Sequence, residues 1–238
     1  MLNLILTDFD GTLFPKSGGE LSLEFINKIV NLTEKGCYFA VNSGRPYSTL
    51  KKLLAPIKNR TLFVCNDGAQ IMYKNCLLYK NTISSAVAKK ICLFVNSHEL
   101  SPFAALRERN TPVTDDVLAS PGMFGEDFYK LVFVKNNPTE ASIQAVKQLA
   151  LSNSLRICFE DDEYLEFCKA DADKGIATDF LIKKFGIKGD ILAFGDTAAD
   201  FEMFKRASGV FLMSHATHLS YPNAKIIENT QEFIVKEL

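Results

Sequence analysis

The sequence has no tryptophan, only three histidines, and no two of its six cysteines in C-x-x-C spacing. That scarcity excludes the usual zinc and dithiol chemistries, which need clustered Cys and His. An excess of one charge is also lacking: 27 Lys and Arg stand against 28 Asp and Glu, for a net charge of −1. Nothing global therefore steers the chain to nucleic acid or an anionic membrane, and any anion it binds must be captured locally. No apolar run approaches the ~20 residues a membrane helix needs. The start MLNLILTDFD turns acidic at once and offers neither a basic beginning nor a cleavage site, so no secretory signal is expected. Cys37, Cys65, Cys76, Cys92, Cys158 and Cys168 sit mostly among apolar neighbours, as in CYFAV and LRICF. They read as buried, reduced thiols of a cytoplasmic protein.

What is present is ordinary globular material. The chain has 238 residues, 47% hydrophobic and 23% charged, enough for one large α/β domain or a medium domain carrying a smaller one. Residues 2–7 (LNLILT) form a short apolar run that stops at acidic and glycine residues, the pattern of a buried parallel strand feeding a loop. Residues 22–35 place apolar side chains at 23, 25, 26, 29, 30 and 32, which predicts an amphipathic helix stopped by Gly36. CYFAVNSGRP and TLFVCNDGA repeat the strand-then-polar-turn form. Pro46 opens a further helix and Pro56 ends it. Beyond residue 172 the rhythm resumes: a helix over 174–185, a strand in DILAFGD, a helix in ADFEMFKRA, a strand in GVFLM and a last strand in KIIE.

This alternation predicts an α/β fold, a doubly wound parallel sheet of the Rossmann-like kind. In such sheets ligands bind beyond the carboxyl ends of the strands, and here those ends carry Asp8, Ser43, Asn66-Asp67 and Asp196. The middle of the chain differs. A helix in SAVAKKICLFVNS, a strand in FYKLVFV, a helix in TEASIQAVKQLAL and a hairpin of LRICFEDD with YLEFCK suggest an inserted α+β unit over 81–171. Residues 1–80 and 172–238 then form the core.

Asp8-Phe9-Asp10-Gly11-Thr12 places two carboxylates two residues apart at a strand end, where they can flank one metal and one substrate. Gly11 permits the tight turn. DFDGTL resembles the first motif of the haloacid dehalogenase-like superfamily. Ser43-Gly44-Arg45-Pro46 resembles the second motif of its Cof-type phosphatases, Asn66-Asp67-Gly68-Ala69 their Asn-Gly-Ala turn, Lys174-Gly175 the lysine motif, and Gly195-Asp196-Thr197-Ala198-Ala199-Asp200 the metal-binding fourth motif. The resemblance spans nearly the whole chain, and the insert stands where this family carries its cap domain.

The resemblance implies a magnesium-dependent hydrolase of small phosphorylated metabolites, above all sugar phosphates. Asp8 would be the nucleophile and Asp10 the acid/base. Mg2+ would be held by the Asp8 carboxylate, the Asp10 main-chain carbonyl and the Asp196 carboxylate. Ser43 and Gly44 would bind the phosphate and Lys174 would offset its charge, while Arg45 either reaches the substrate or braces the loop. Thr12 and Asp200 would support these groups. The inserted unit would set specificity, with Arg107, Arg109, Asp127 and Lys130 as polar candidates, though the reading adopted for each is an ordinary solvated charge.

Three positions depart from the family pattern. Ala199 replaces its usual Asn, Asp67 stands where it usually has Asn, and His215 falls where it commonly shows Asn. His215 and His218 are spaced as a ligand pair on a helix, or as two residues of a surface helix, which is the reading adopted. A phosphomutase of the same superfamily and a metabolite-binding protein without turnover are the rival functions. Neither a membrane nor a nucleic-acid partner is expected, and nothing in the sequence speaks to oligomeric state.

Overall fold

The computed structural model describes the backbone of residues 2–95, 100–106, 109–112 and 127–238, and the side chains of 2–95 and 127–238. The chain divides into two units, Met1–Tyr79 with Asp173–Leu238, and Lys80–Ala172.

The first unit is built on an eight-stranded sheet. Its strands are β1 (Leu2–Thr7), β2 (Tyr38–Asn42), β3 (Thr61–Cys65), β4 (Gln70–Tyr73), β5 (Cys76–Lys80), then, after the second unit, β11 (Asp190–Gly195), β12 (Gly209–Met213) and β13 (Lys225–Ile227). Their order is β13-β12-β11-β1-β2-β3-β4-β5. Six strands run parallel, from β13 to β3. The sheet is not parallel throughout, because β4 turns back antiparallel on β3. Lys74 and Asn75, both at positive φ, make the turn into β5, the two-residue connection that matches strand twist.

Strand alternation sorts the core onto two faces. Ile5, Phe39, Val41 and Phe63 pack with Phe25 and Ile29 of the helix Leu23–Glu34 and Ile234 of the helix Thr230–Glu237. Leu4, Leu6, Ala40 and Leu62 pack on the other face with Ala177 and Leu181 of the helix Lys174–Phe185 and with Met203 and Phe204. Layers on both faces bury most of the central strands, which is why they read as continuous apolar runs.

The second unit has a five-stranded sheet in the order β7-β6-β8-β10-β9, comprising β6 (Leu100–Leu106), β7 (Arg109–Pro112), β8 (Leu131–Lys135), β9 (Leu155–Glu160) and β10 (Tyr164–Lys169). All its pairings are antiparallel. Leu131, Phe133, Leu165 and Phe167 alternate onto one face and bury against the helices Ser85–Val95 and Glu140–Ser152. Asp127 accepts from Thr82 Oγ1 and from Ser85 N at the start of the first of these helices. Lys130 is buried in an ion pair with Glu166, Nζ to Oε2 2.8 Å, and is not a solvated charge. The side chains of Arg107 and Arg109 lie outside the described residues.

Cys37, Cys65, Cys92 and Cys168 are buried thiols, but Cys76 on the edge strand β5 is exposed and Cys158 half-buried. Burial pushes the Cys37 thiol up to about 11 and the Cys92 thiol to about 12, so both stay protonated and inert. Among the described residues no helix is long and apolar enough to cross a membrane.

Candidate active site

Register brings the site together. β1 lies between β11 and β2, with Thr7 opposite Phe194 on one side and Val41 on the other. The residues that follow, Asp8, Asp196 and Ser43, therefore leave one edge of the sheet side by side. Asn66 follows from the next strand, β3.

The loop after β1 needs Gly11. It holds φ +86, and a Cβ there would sit 2.2 Å from Asp196 Oδ2, so only glycine lets the loop close over that carboxylate. Gly11 N donates to Phe14 O and Leu13 N to Asp8 O, which ties the loop back on itself. The Asn66-Asp67-Gly68 turn has all three residues at positive φ. Asp67 N donates to Ser43 O, and Asn66 N to Arg45 O. Gly68 lies against the main chain of Asp173, which caps the helix carrying Lys174 by accepting from Gly175 N and Ile176 N, each at 2.7 Å. One turn thus braces both the Ser43 loop and the start of the Lys174 helix.

Lys174 is the centre of the charge arrangement. Its Nζ donates to Asp8 Oδ1 and Asp200 Oδ1, both at 2.6 Å, and all three side chains are buried. The second oxygen of Asp200 accepts from Asp196 N, Thr197 N and Thr197 Oγ1. Burial drives Asp8 up from 3.8 to about 7, against the pull of Lys174. Burial works to lower Lys174, but Asp200 and Asp8 outweigh it and raise it above the ordinary ammonium range.

Asp10 faces outward, half-exposed. Arg45 grips its carboxylate with Nε and Nη2 at 2.7–3.1 Å, while the guanidinium stands over the Phe9 ring. Ser43 is buried, and its Oγ accepts from Arg45 N. The Asp67 carboxylate sits on Gly44, 3.0 Å from where a Cβ would be. Thr12 Oγ1 donates to Asp196 Oδ1 at 3.3 Å. Ala199 is exposed in the short turn Ala198–Asp200.

The segment after β12 corrects the expectation of a surface helix. Residues 214–219 form turns, and His215 Nε2 lies 3.2 Å from Asp196 Oδ2. His215 is the site neighbour that sequence spacing missed. Its departure from the family's Asn was the signal that could have found it.

Ligand atoms of Asp8, Asp196 and Asp200 lie within 4.8 Å of one another, all buried. Three carboxyl groups thus crowd round the Lys174 ammonium, an excess of oxygen ligands in low dielectric. A hard divalent cation with oxygen ligands fits this donor set.

A model of the haloacid dehalogenase-like hydrolases matches residues 5–123 and 122–233. A Buchnera aphidicola protein is 32% identical over 94 residues, 39% of this chain and 34% of that protein. The HMP-PP phosphatase of Cronobacter sakazakii is 23% identical over 91% of this chain and 85% of its own length. The solved sugar phosphatase BT4131 of subclass IIB superposes with TM-score 0.70 at 16% identity, covering 97% of this chain and 94% of that one, which shows a shared fold.

Proposed function

The chain belongs to the haloacid dehalogenase-like hydrolases, and on that premise we propose that it is a magnesium-dependent phosphomonoesterase working through an aspartyl-phosphate on Asp8. The observation that carries this reading is Lys174 clamped between Asp8 and Asp200 at the strand end, with the Asp196 carboxylate alongside. A structural ion pair has no need of a third buried carboxylate at its side.

An Asp8 oxygen attacks phosphorus, and the bond from phosphorus to the ester oxygen breaks. Asp10 gives its proton to that leaving oxygen. Asp10, now a carboxylate, takes a proton from water as the water oxygen attacks phosphorus, and the Asp8 carboxylate leaves. Lys174 neutralises charge between nucleophile and phosphoryl oxygens, and Asp200 holds it there. Ser43 and Gly44 hold phosphate oxygens. Arg45 holds the Asp10 carboxylate through Nε and Nη2, so Asp10 turns to the leaving oxygen as Arg45 yields it. Asp8, Asp196 and the Asp10 carbonyl would hold Mg2+, which would supply charge neutralisation at the transferring group.

Small phosphorylated metabolites, sugar phosphates foremost, are the substrate class. The relatives named for HMP-PP and for sugar phosphates support it. Residues 81–171 act as the cap that selects among them, and the protein works in the cytoplasm. The test is phosphate release from an aryl phosphate and a panel of sugar phosphates, with and without chelator. The wild type releases phosphate only with magnesium, and Asp8→Asn falls to background. Full activity in Asp8→Asn sinks the assignment, and isomer formation without phosphate release establishes a mutase instead.

A further inference from the structure

Asp196 is buried and has a donor on each oxygen. Thr12 Oγ1 serves Oδ1, and His215 Nε2 serves Oδ2 at 3.2 Å. An ionised carboxylate only accepts, so the hydrogen between the two groups belongs to Nε2. A nitrogen carrying that hydrogen is not free to ligate a metal, and His215 therefore acts through Asp196. Lys16 Nζ also lies near Oδ2, at 3.8 Å on a side chain 71% exposed. The His215 side chain is 50% exposed, but its main chain is fixed. Its turn is closed by Ala216 N donating to Met213 O, and Ser214 pins it to the next strand through Ser214 N to Ile227 O and Ser214 Oγ to Glu228 Oε2 at 2.6 Å. Ala216 is buried beneath. The ring is thus delivered to Oδ2 by a segment fastened on both sides.

We propose that His215 is the positioning residue for the metal-binding carboxylate of Asp196, orienting it by a hydrogen bond to Oδ2 and thereby setting divalent-cation affinity. This rests on the reading of Asp196 as a metal ligand. Partners of this kind around ligating groups are worth about 10–100-fold in metal affinity. The donor is what matters, and an amide at the same reach replaces it.

The test is titration with Mn2+, following the free ion by electron paramagnetic resonance, on the full chain as wild type, His215→Ala, His215→Gln, Lys16→Ala and Asp196→Asn. Circular dichroism verifies folding of each. His215→Ala binds Mn2+ about 10–100-fold more weakly, His215→Gln recovers most of the loss, and Lys16→Ala binds like wild type. If His215→Ala does not fold, His215→Leu fills the space without a donor and takes its place. Wild-type affinity in the Ala or Leu variant overturns the inference, as does a Gln variant as weak as Ala. A Lys16→Ala loss equal to that of His215→Ala overturns it too. Asp196→Asn reads the premise separately: unchanged binding there, or no binding by wild type, sinks the metal assignment itself.

Discussion

Asp200 answers four donors with two oxygens: the Lys174 ammonium, two main-chain amides and the Thr197 hydroxyl. Truncating it leaves the buried Lys174 ammonium with Asp8 as its remaining carboxylate and strands two amides. Asp200→Ala therefore loses about 3–5 kcal/mol of stability, measured by urea unfolding, and its activity falls with the misplaced Lys174. A loss near zero would mean that water replaces the carboxylate. Asp8 has the opposite relation to the fold. Burial raises it from 3.8 to about 7, so between these values the folded, metal-free chain holds a proton that the unfolded chain has released. Its contribution is full below about pH 4 and is lost as pH rises through about 7. In chelator, wild-type stability declines over that window relative to Asp8→Asn. Parallel profiles for the two proteins would contradict the raised value.

At the scale of elements, the turn Asn66–Gly68 does more than connect β3 to β4. A Cβ on Gly68 would meet Asp173 O at 2.2 Å, and the residue sits at φ +91. Gly68→Ala pays strain of about 1–3 kcal/mol and pushes away the cap of the helix that begins with Lys174. The expected result is a lowered unfolding midpoint together with a lower kcat, read by thermal melts and phosphate release. An unaffected kcat would show that the turn does not position Lys174. The parallel strands were legible because layers on both faces bury them, leaving uninterrupted apolar runs such as LNLILT. The strands β4 and β5 were not. They are short, β5 is largely exposed, and their turn is Lys-Asn rather than the stronger Asn-Gly signal. His215 was misread because a three-residue spacing suggests a helix, whereas the chain there makes turns fixed by its neighbours.

At the scale of the molecule, the strand-end rule gathers residues as far apart as Asp8 and Asp196 without any local signal linking them. Motif order named the candidate residues, and the parallel register explains why they meet. Pairings such as Arg45 with Asp10 stayed invisible, since they depend on where two loops end up and not on what either contains. The proposed chemistry rests on one carboxylate, Asp8, and that assignment is open to direct capture. Protein turning over a sugar phosphate with magnesium is quenched in acid, treated with borohydride and sequenced by mass spectrometry. Borohydride reduces an aspartyl-phosphate to homoserine, so the account predicts homoserine at position 8. Phosphate release with no homoserine at position 8, or with homoserine at another aspartate, would contradict it.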